Sequence, residues 1–347
     1  MTTLSKPATY YPNYEVNADD IMTVIEVCHP DSPYKKRAFE MIQNSQVKKR
    51  HLIMPLTDVV KQGDFGERAQ IYQDAAIEMA EKVAREAIHN AGLDVDDIDM
   101  IIATSCTGFM MPSLTAHLIN RLSLRPDTKQ IPIAQLGCVA GASAIGRAFE
   151  FCEHRPDRNV LIVCVETSSL CFHKEAGRLQ DFISNSLFAD GAAAVVMRGD
   201  NQTWGLKLTH NQSVTIEDTM PYIEYQLTDK GFKFSLDKDV MHSIPHVAPF
   251  LQSFCQDKLQ INANNVDNTI FHTGGKRILD ELERCLELAP DKVRHSRACL
   301  AETGNTSSVA VIDVLRRTFD NAQSGETSLL AAFGPGFTSE MSVGVWQ

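Results

Sequence analysis

Three side chains stand in settings that could support covalent chemistry. Cys138 lies in QLGCVAGASA (135–144), among glycines, alanines and one serine, directly after the strand-like run IPIA. His272 ends the apolar run of NTIFHTGG, and Asn305 stands in TGNTSS just before the apolar run VAVIDVL. A free cysteine with a pKa of ~8.5 is only about 3% thiolate at pH 7, whereas a helix N-terminus and a nearby imidazolium can bring it to ~6 or below. Cys138 next to His272 is therefore expected to be a thiolate nucleophile, with His272 and Asn305 both able to donate to one carbonyl oxygen. Taken singly, each has an ordinary reading as well: a core cysteine, a satisfied buried histidine, a helix-capping asparagine.

An internal repeat joins them. DIDMIIATSCTG (97–108) lies over NVDNTIFHTGG at an offset of 168, and NVLIVCVE lies over TSLLAAFG at the same offset. At an offset of 167, GCVAGASAIGRAFEF lies over GNTSSVAVIDVLRRT, pairing Cys138 with Asn305. Three matches at a nearly constant offset imply two superposable α/β halves, 1–200 carrying the cysteine and 201–347 carrying the histidine and asparagine. In such an arrangement Cys138 and Asn305 each sit where a strand gives way to a central helix, with His272 at a strand end beside them. Gly137, Ala140, Gly141 and Ala142 then let the backbone of the other half pass close.

The elements that position these residues alternate. ERAQIYQDAAIEMAEKVAREAIHNAG repeats apolar residues at helical spacing and is expected to close near Gly92. MIIAT, IPIAQ, NVLIVCVE and GAAAVVM read as strands, and SLTAHLINRL and the run through GRAFEFC as helices. Pro245 and Pro249 disturb the helical pattern from Val240 to Phe254, so that helix is kinked or starts late. The chain has 347 residues, 44% hydrophobic and 22% charged, enough for a substantial core. Its net charge of −11 argues against general nucleic-acid binding. Nine cysteines without a CxxC pair fit reduced thiols better than a disulfide framework or a zinc site. No run approaches the roughly 18 apolar residues of a membrane span, and no signal-peptide pattern opens the sequence. A cytoplasmic protein is expected, without membrane or nucleic-acid partners.

TSCTGFMMPSLTAHLIN, PIAQLGCVAGA, SLFADGAA, FHTGG, ETGNTSS and AAFGPGFT, in that order, resemble the type III polyketide synthases, the chalcone-synthase-like branch of the thiolase superfamily. The resemblance implies an α/β, thiolase-like fold of two similar halves in αβαβα layers, a homodimer, and a Cys138–His272–Asn305 triad acting on malonyl-CoA with no cofactor or metal beyond the CoA thioester. It also implies that Phe188 and Phe234 are gatekeepers between acyl cavity and CoA tunnel, and that Met111, or Met110 one residue earlier, reaches into the partner's cavity. Ser307 and Cys106 join the cavity wall, and the loop AFGPGF, with Gly334 and Gly336, scaffolds it.

The sequence departs from the plant members of that family in ways that bear on substrate. Of three basic residues that grip the CoA phosphates, only Arg37 is matched, the others falling on Glu40 and Asn44; Lys35, Lys36 or Lys48 can substitute, and Arg277 matches a further basic position. Tyr225 stands where plant enzymes carry a glycine, and Cys106 where they carry a threonine, which implies a bulkier wall and a short product. The stretches around Cys106 and Cys138 resemble bacterial members that build a ring from malonyl units alone. Three malonyl-CoA closing by Claisen attack to phloroglucinol is the expected reaction, with an acyl-CoA-primed alkylpyrone or alkylresorcinol as the alternative. A papain-type hydrolase shares the Cys-His-Asn order but leaves the repeat unexplained.

Overall fold

The computed structural model describes residues 2–347, apart from the side chain of Lys238. Its centre is a ten-stranded sheet whose path runs Asn268–Phe271, Thr327–Gly334, Thr338–Trp346, Leu206–Thr215, Thr2–Leu4, Asp190–Arg198, Asn159–Thr167, Met100–Thr104, Lys129–Ile133, with Ala8–Tyr10 pairing on the side of Asp190–Arg198. The two arms of this path repeat one another. Met100–Thr104 pairs parallel with Asn159–Thr167, which pairs antiparallel with Asp190–Arg198. Likewise Asn268–Phe271 pairs parallel with Thr327–Gly334, which pairs antiparallel with Thr338–Trp346. The short strand Thr2–Leu4 bonds to both arms and makes the ladder continuous.

Alternation along the apolar strands explains the layers. In Asn159–Thr167, Val160, Ile162 and Cys164 enter a central core, while Leu161, Val163 and Val165 enter an outer core against the long helix Phe65–Asn90. Leu330 and Ala332 of the other arm reach the same central core, and Leu329, Ala331 and Phe333 reach a second outer core against the helices Ile244–Leu259 and Lys276–Leu286. Strands covered on both faces read as continuous apolar runs, as these do. The central core is filled by two helices, Ala140–Cys152 and Ala310–Phe319, sandwiched between the arms. This is the thiolase-like αβαβα arrangement.

The helix pattern interrupted by prolines starts late: residues 238–243 form a 3-10 turn, the α-helix runs Ile244–Leu259 with Pro245 in its first turn, and Pro249 lies inside. The long helix ends at Asn90, and Gly92 takes a left-handed φ of +65° as expected. No helix among the described residues is long and apolar enough to cross a membrane.

One part of the repeat needs a different register. The 3-10 turn Gly137–Val139 leads into Ala140–Cys152 just as the 3-10 turn Ser307–Val309 leads into Ala310–Phe319, and Gly137 (φ +57°) and Ser307 (φ +50°) share the same left-handed backbone. Gly137 is thus the counterpart of Ser307, and Cys138 of Ser308. The pairing of Cys138 with Asn305 is corrected: Asn305 lies ahead of the equivalent turn, in an extra stretch of chain that the strand offsets do not reveal.

The small residues around Cys138 serve this crossing. A Cβ on Gly141 would stand 2.3 Å from the Ser308 carbonyl oxygen and 2.9 Å from Cγ1 of Val311. Gly141→Leu should therefore force the two central helices apart. Overpacking of this kind costs about 1–3 kcal/mol or more, and thermal unfolding should show a lowered Tm or loss of soluble protein; an unchanged Tm would mean the crossing is looser than the structure has it.

Candidate active site

Cys138 follows the strand Lys129–Ile133 and is 7% exposed. The Gly-Pro-Gly loop of the other half closes over its turn: a Cβ on Gly334 would meet Val139 N at 2.8 Å, and one on Gly137 would meet the Pro335 ring at 2.9 Å. His272, 1% exposed, ends the strand Asn268–Phe271 and is fixed by its N–H on the Ala331 carbonyl at 3.0 Å. Asn305 is 2% exposed. Thr273, next to His272, donates to the carbonyl of Gly304, next to Asn305, and the Asn305 and Ser307 side chains lie close enough to the Cys138 sulfur to favour its charged form. Asn305 thus stands at the cysteine, and the residues following His272 and preceding Asn305 are joined.

The orientation of Asn305 is set locally. Its Oδ1 accepts the Ser307 N–H at 2.8 Å, a bond that the left-handed backbone of Ser307 makes possible, so the carboxamide nitrogen is left to donate. The imidazole Nδ1 of His272 has no hydrogen-bond partner among the described residues. Burial and, secondarily, the negative charge of Glu166 push the Cys138 thiol up to about 12, against the lowering effect of hydrogen bonds from Ser307 and Asn305. Burial alone pushes His272 down to about 3. Burial of each group thus works against charge on either one alone, and so against the thiolate expected beside His272.

Beneath the sulfur lies a buried acid that sequence reasoning missed. Glu166 is fully buried; it accepts from Ser308 Oγ at 2.6 Å, Thr107 Oγ1 at 3.0 Å and the Cys106 N–H at 3.1 Å, and the Cys106 thiol lies 3.5 Å from its Oε2. Burial raises its carboxyl, and those hydrogen bonds oppose the rise. Cys106 also approaches Ser307 Oγ at 3.6 Å, linking this cluster to the nucleophile's neighbours. The signal was present as a lone carboxylate ending the apolar strand NVLIVCVE.

Phe188 and Phe234 meet edge to face, with ring centroids 4.5 Å apart. They border a cavity that is also lined by Ser307, Cys106, Ile21, Val24, Ile25, Leu56, Val59 and Phe182. Tyr225 lines this cavity, with its ring against Phe232 at 4.8 Å. Met111 is 83% exposed on a protruding loop, whereas Met110 packs against the outer core, which separates the two methionines. Arg37 and Arg277 are exposed, on the helices Lys35–Gln43 and Lys276–Leu286, and neither joins an ion pair among the described residues. No contact brings them together.

His272→Ala removes the imidazole while leaving the burial and Glu166 that disfavour a thiolate. The pH midpoint for alkylation of Cys138 by iodoacetamide, followed by mass spectrometry, should move upward to beyond the ~8.5 of a free cysteine. An unmoved midpoint would take His272 out of the role of base.

Residues 12–201 match the family described as chalcone and stilbene synthases, N-terminal domain, and residues 207–344 its C-terminal domain. The chain is 47% identical, over all of its length and 99% of the relative's, to phloroglucinol synthase of Pseudomonas fluorescens. It is 41% identical, over all of its length and 93% of the relative's, to 1,3,6,8-tetrahydroxynaphthalene synthase of Streptomyces griseus. Among solved structures, 1,3,6,8-tetrahydroxynaphthalene synthase of Streptomyces coelicolor superposes with a TM-score of 0.97 at 41% identity, covering 99% of each chain.

Proposed function

The chain belongs to the chalcone and stilbene synthase family and is a type III polyketide synthase, and from that premise we propose that it condenses three malonyl-CoA to phloroglucinol on a Cys138 thioester. The observation that carries the chemistry is the fixed carboxamide of Asn305 beside the buried Cys138 sulfur. As Cys138 attacks a thioester carbonyl, its proton passes to His272 and CoA leaves. Loss of CO2 from a second malonyl-CoA leaves a thioester enolate, whose oxygen the neutral donors of His272 and Asn305 stabilise in a site with little water. The enolate carbon attacks the acyl carbonyl on Cys138, a carbon–carbon bond forms, and the thiolate is released for the next load. Closure of the 3,5-diketo chain by attack of C6 on C1, with loss of the terminal carboxylate, balances three malonyl-CoA against one phloroglucinol, three CO2 and three CoA. Because hydrogen-bond donors supply the stabilisation, no metal or redox cofactor is called for.

What supports this ring is the likeness over the whole chain to a phloroglucinol synthase. The reading carries with it a cytoplasmic homodimer in which the protruding Met111 enters the partner's cavity, and a mouth where Arg37 and Arg277 meet the CoA phosphates. Purified protein given malonyl-CoA alone should yield phloroglucinol by mass spectrometry. Only a tetrahydroxynaphthalene, or no product until a starter is added, would overturn the assignment.

One observation favours a second reading, priming by an acyl-CoA. The cavity that Tyr225 lines is walled largely by apolar side chains, and each buried methylene of a starter is worth ~0.8 kcal/mol. Lauroyl-CoA added with malonyl-CoA should then give alkylpyrones or alkylresorcinols, and Ile25→Trp, which narrows that apolar space, should abolish them while sparing the malonyl-only product. Equal alkyl products from Ile25→Trp and wild type would place the acyl chain elsewhere.

A further inference from the structure

The backbone of Asn305 forms a parallel bridge with Phe188. Its N–H donates to the Leu187 carbonyl at 2.9 Å, and its carbonyl accepts the Ala189 N–H at 3.0 Å. The carboxamide beside the sulfur and the gatekeeper ring are therefore parts of one backbone unit, although they come from opposite halves of the chain.

That unit is tied to a third segment, residues 50–53. Arg50, 3% exposed, donates from Nη1 to the Phe188 carbonyl. Its stem packs against Gly304, the residue before Asn305: a Cβ there would meet Arg50 Cγ at 2.9 Å and Cδ at 3.0 Å, and Gly304 has a φ of +69°. Asp190, fully buried and two residues after Phe188, closes the triangle. Its Oδ2 accepts the Ile53 N–H at 2.8 Å, and Ser169 donates its N–H to Oδ1 at 2.8 Å and its hydroxyl to Oδ2. Burial pushes the Arg50 guanidinium down to about 10, with the charge of Asp190 opposing, so it stays cationic at neutral pH. A charged donor held inside the protein to serve a main-chain carbonyl makes a stronger bond than a neutral one.

We propose that Arg50 and Asp190 are positioning residues for the reaction: Arg50 on the Phe188 carbonyl, braced by Asp190 on Ile53 and Ser169, holds the Phe188–Asn305 bridge in register and with it the Asn305 carboxamide at the Cys138 sulfur. The inference rests on the reading of Cys138, His272 and Asn305 given above. Without the Arg50 contact the bridge keeps its two main-chain bonds but can shift. A shift on the order of 1 Å in a positioned group costs about 10²-fold in rate. The loss falls on the step that needs the donor, not on thioester binding.

The test compares Arg50→Met, Arg50→Lys and Asp190→Asn with wild type and Asn305→Ala, each assayed below its melting temperature for decarboxylation of malonyl-CoA to acetyl-CoA. Arg50→Met and Asp190→Asn should lose about 10²-fold in kcat with KM for malonyl-CoA changed by less than about threefold. Cys138 should still alkylate at the wild-type rate, and Arg50→Lys should recover part of the loss. A folded Arg50→Met with wild-type kcat overturns the inference, and so does a loss matched by an equal fall in alkylation, since the whole site would then have come apart. If Arg50→Met does not fold, Ser169→Ala, which removes one brace from Asp190, should lose about tenfold with KM held, and an unchanged kcat there is equally fatal. Wild type that does not decarboxylate malonyl-CoA, or Asn305→Ala at full rate, would instead refute the underlying reading of the site.

Discussion

At the centre of the molecule the helix that follows Cys138 crosses the turn that follows Asn305 so closely that a methyl group on Gly141 would stand 2.3 Å from the Ser308 carbonyl oxygen. Only a glycine allows that approach, and much of the site is set by it. Ser308 is brought to Thr104 Oγ1 at 3.0 Å and to Glu166, which fixes the floor under Cys106. Ser307, in its left-handed conformation, is brought to the Cys138 sulfur and holds the Asn305 amide by its N–H. A looser crossing would still bury the same apolar surface in the central core, but the sulfur and the amide would no longer both be met by Ser307.

The tightness of this packing has an electrostatic consequence. With Cys138, His272, Asn305 and Glu166 all buried, every isolated charge is disfavoured, which is why the thiol is pushed up, the imidazole down and the carboxyl up. The same low dielectric strengthens hydrogen bonds to an oxygen whose charge exists only transiently. The site is therefore arranged against resting charge and in favour of charge that forms and disappears during a turnover.

The strands were legible because they are covered on both faces and read as unbroken apolar runs, and the repeat was legible because two of those runs recur at one offset. Cys138, His272 and Asn305 were found as polar exceptions next to them. The register around Asn305 was not, since the chain ahead of Ser307 is longer than its counterpart ahead of Gly137 and residue identity does not mark where the extra residues fall. Glu166 and Arg50 escaped notice for a related reason: each acts through main-chain groups or hydroxyls distant in sequence, and nothing in VCVET or KKRHL distinguishes a buried ion from a solvated one.

The hairpin that carries Tyr225 is separate from the sheet that carries Cys138's neighbours. Tyr225, Phe232 and Phe234 all lie on the two strands Ile223–Thr228 and Gly231–Leu236, which pair only with each other and not with the ten-stranded sheet. Its far end is held by contacts from elsewhere: the Asp229 carbonyl accepts the Phe65 N–H at 3.1 Å, His173 Nε2 bonds the Phe232 carbonyl at 3.1 Å, and Lys230 pairs with Glu175 at 2.7 Å. Cys138 and Ser307, by contrast, stand on turns locked between the two arms of the sheet. A change in the hairpin or its three anchors can reshape the cavity wall without moving Cys138 relative to Asn305. Relatives of similar overall identity whose names specify different aromatic products are what such a division permits.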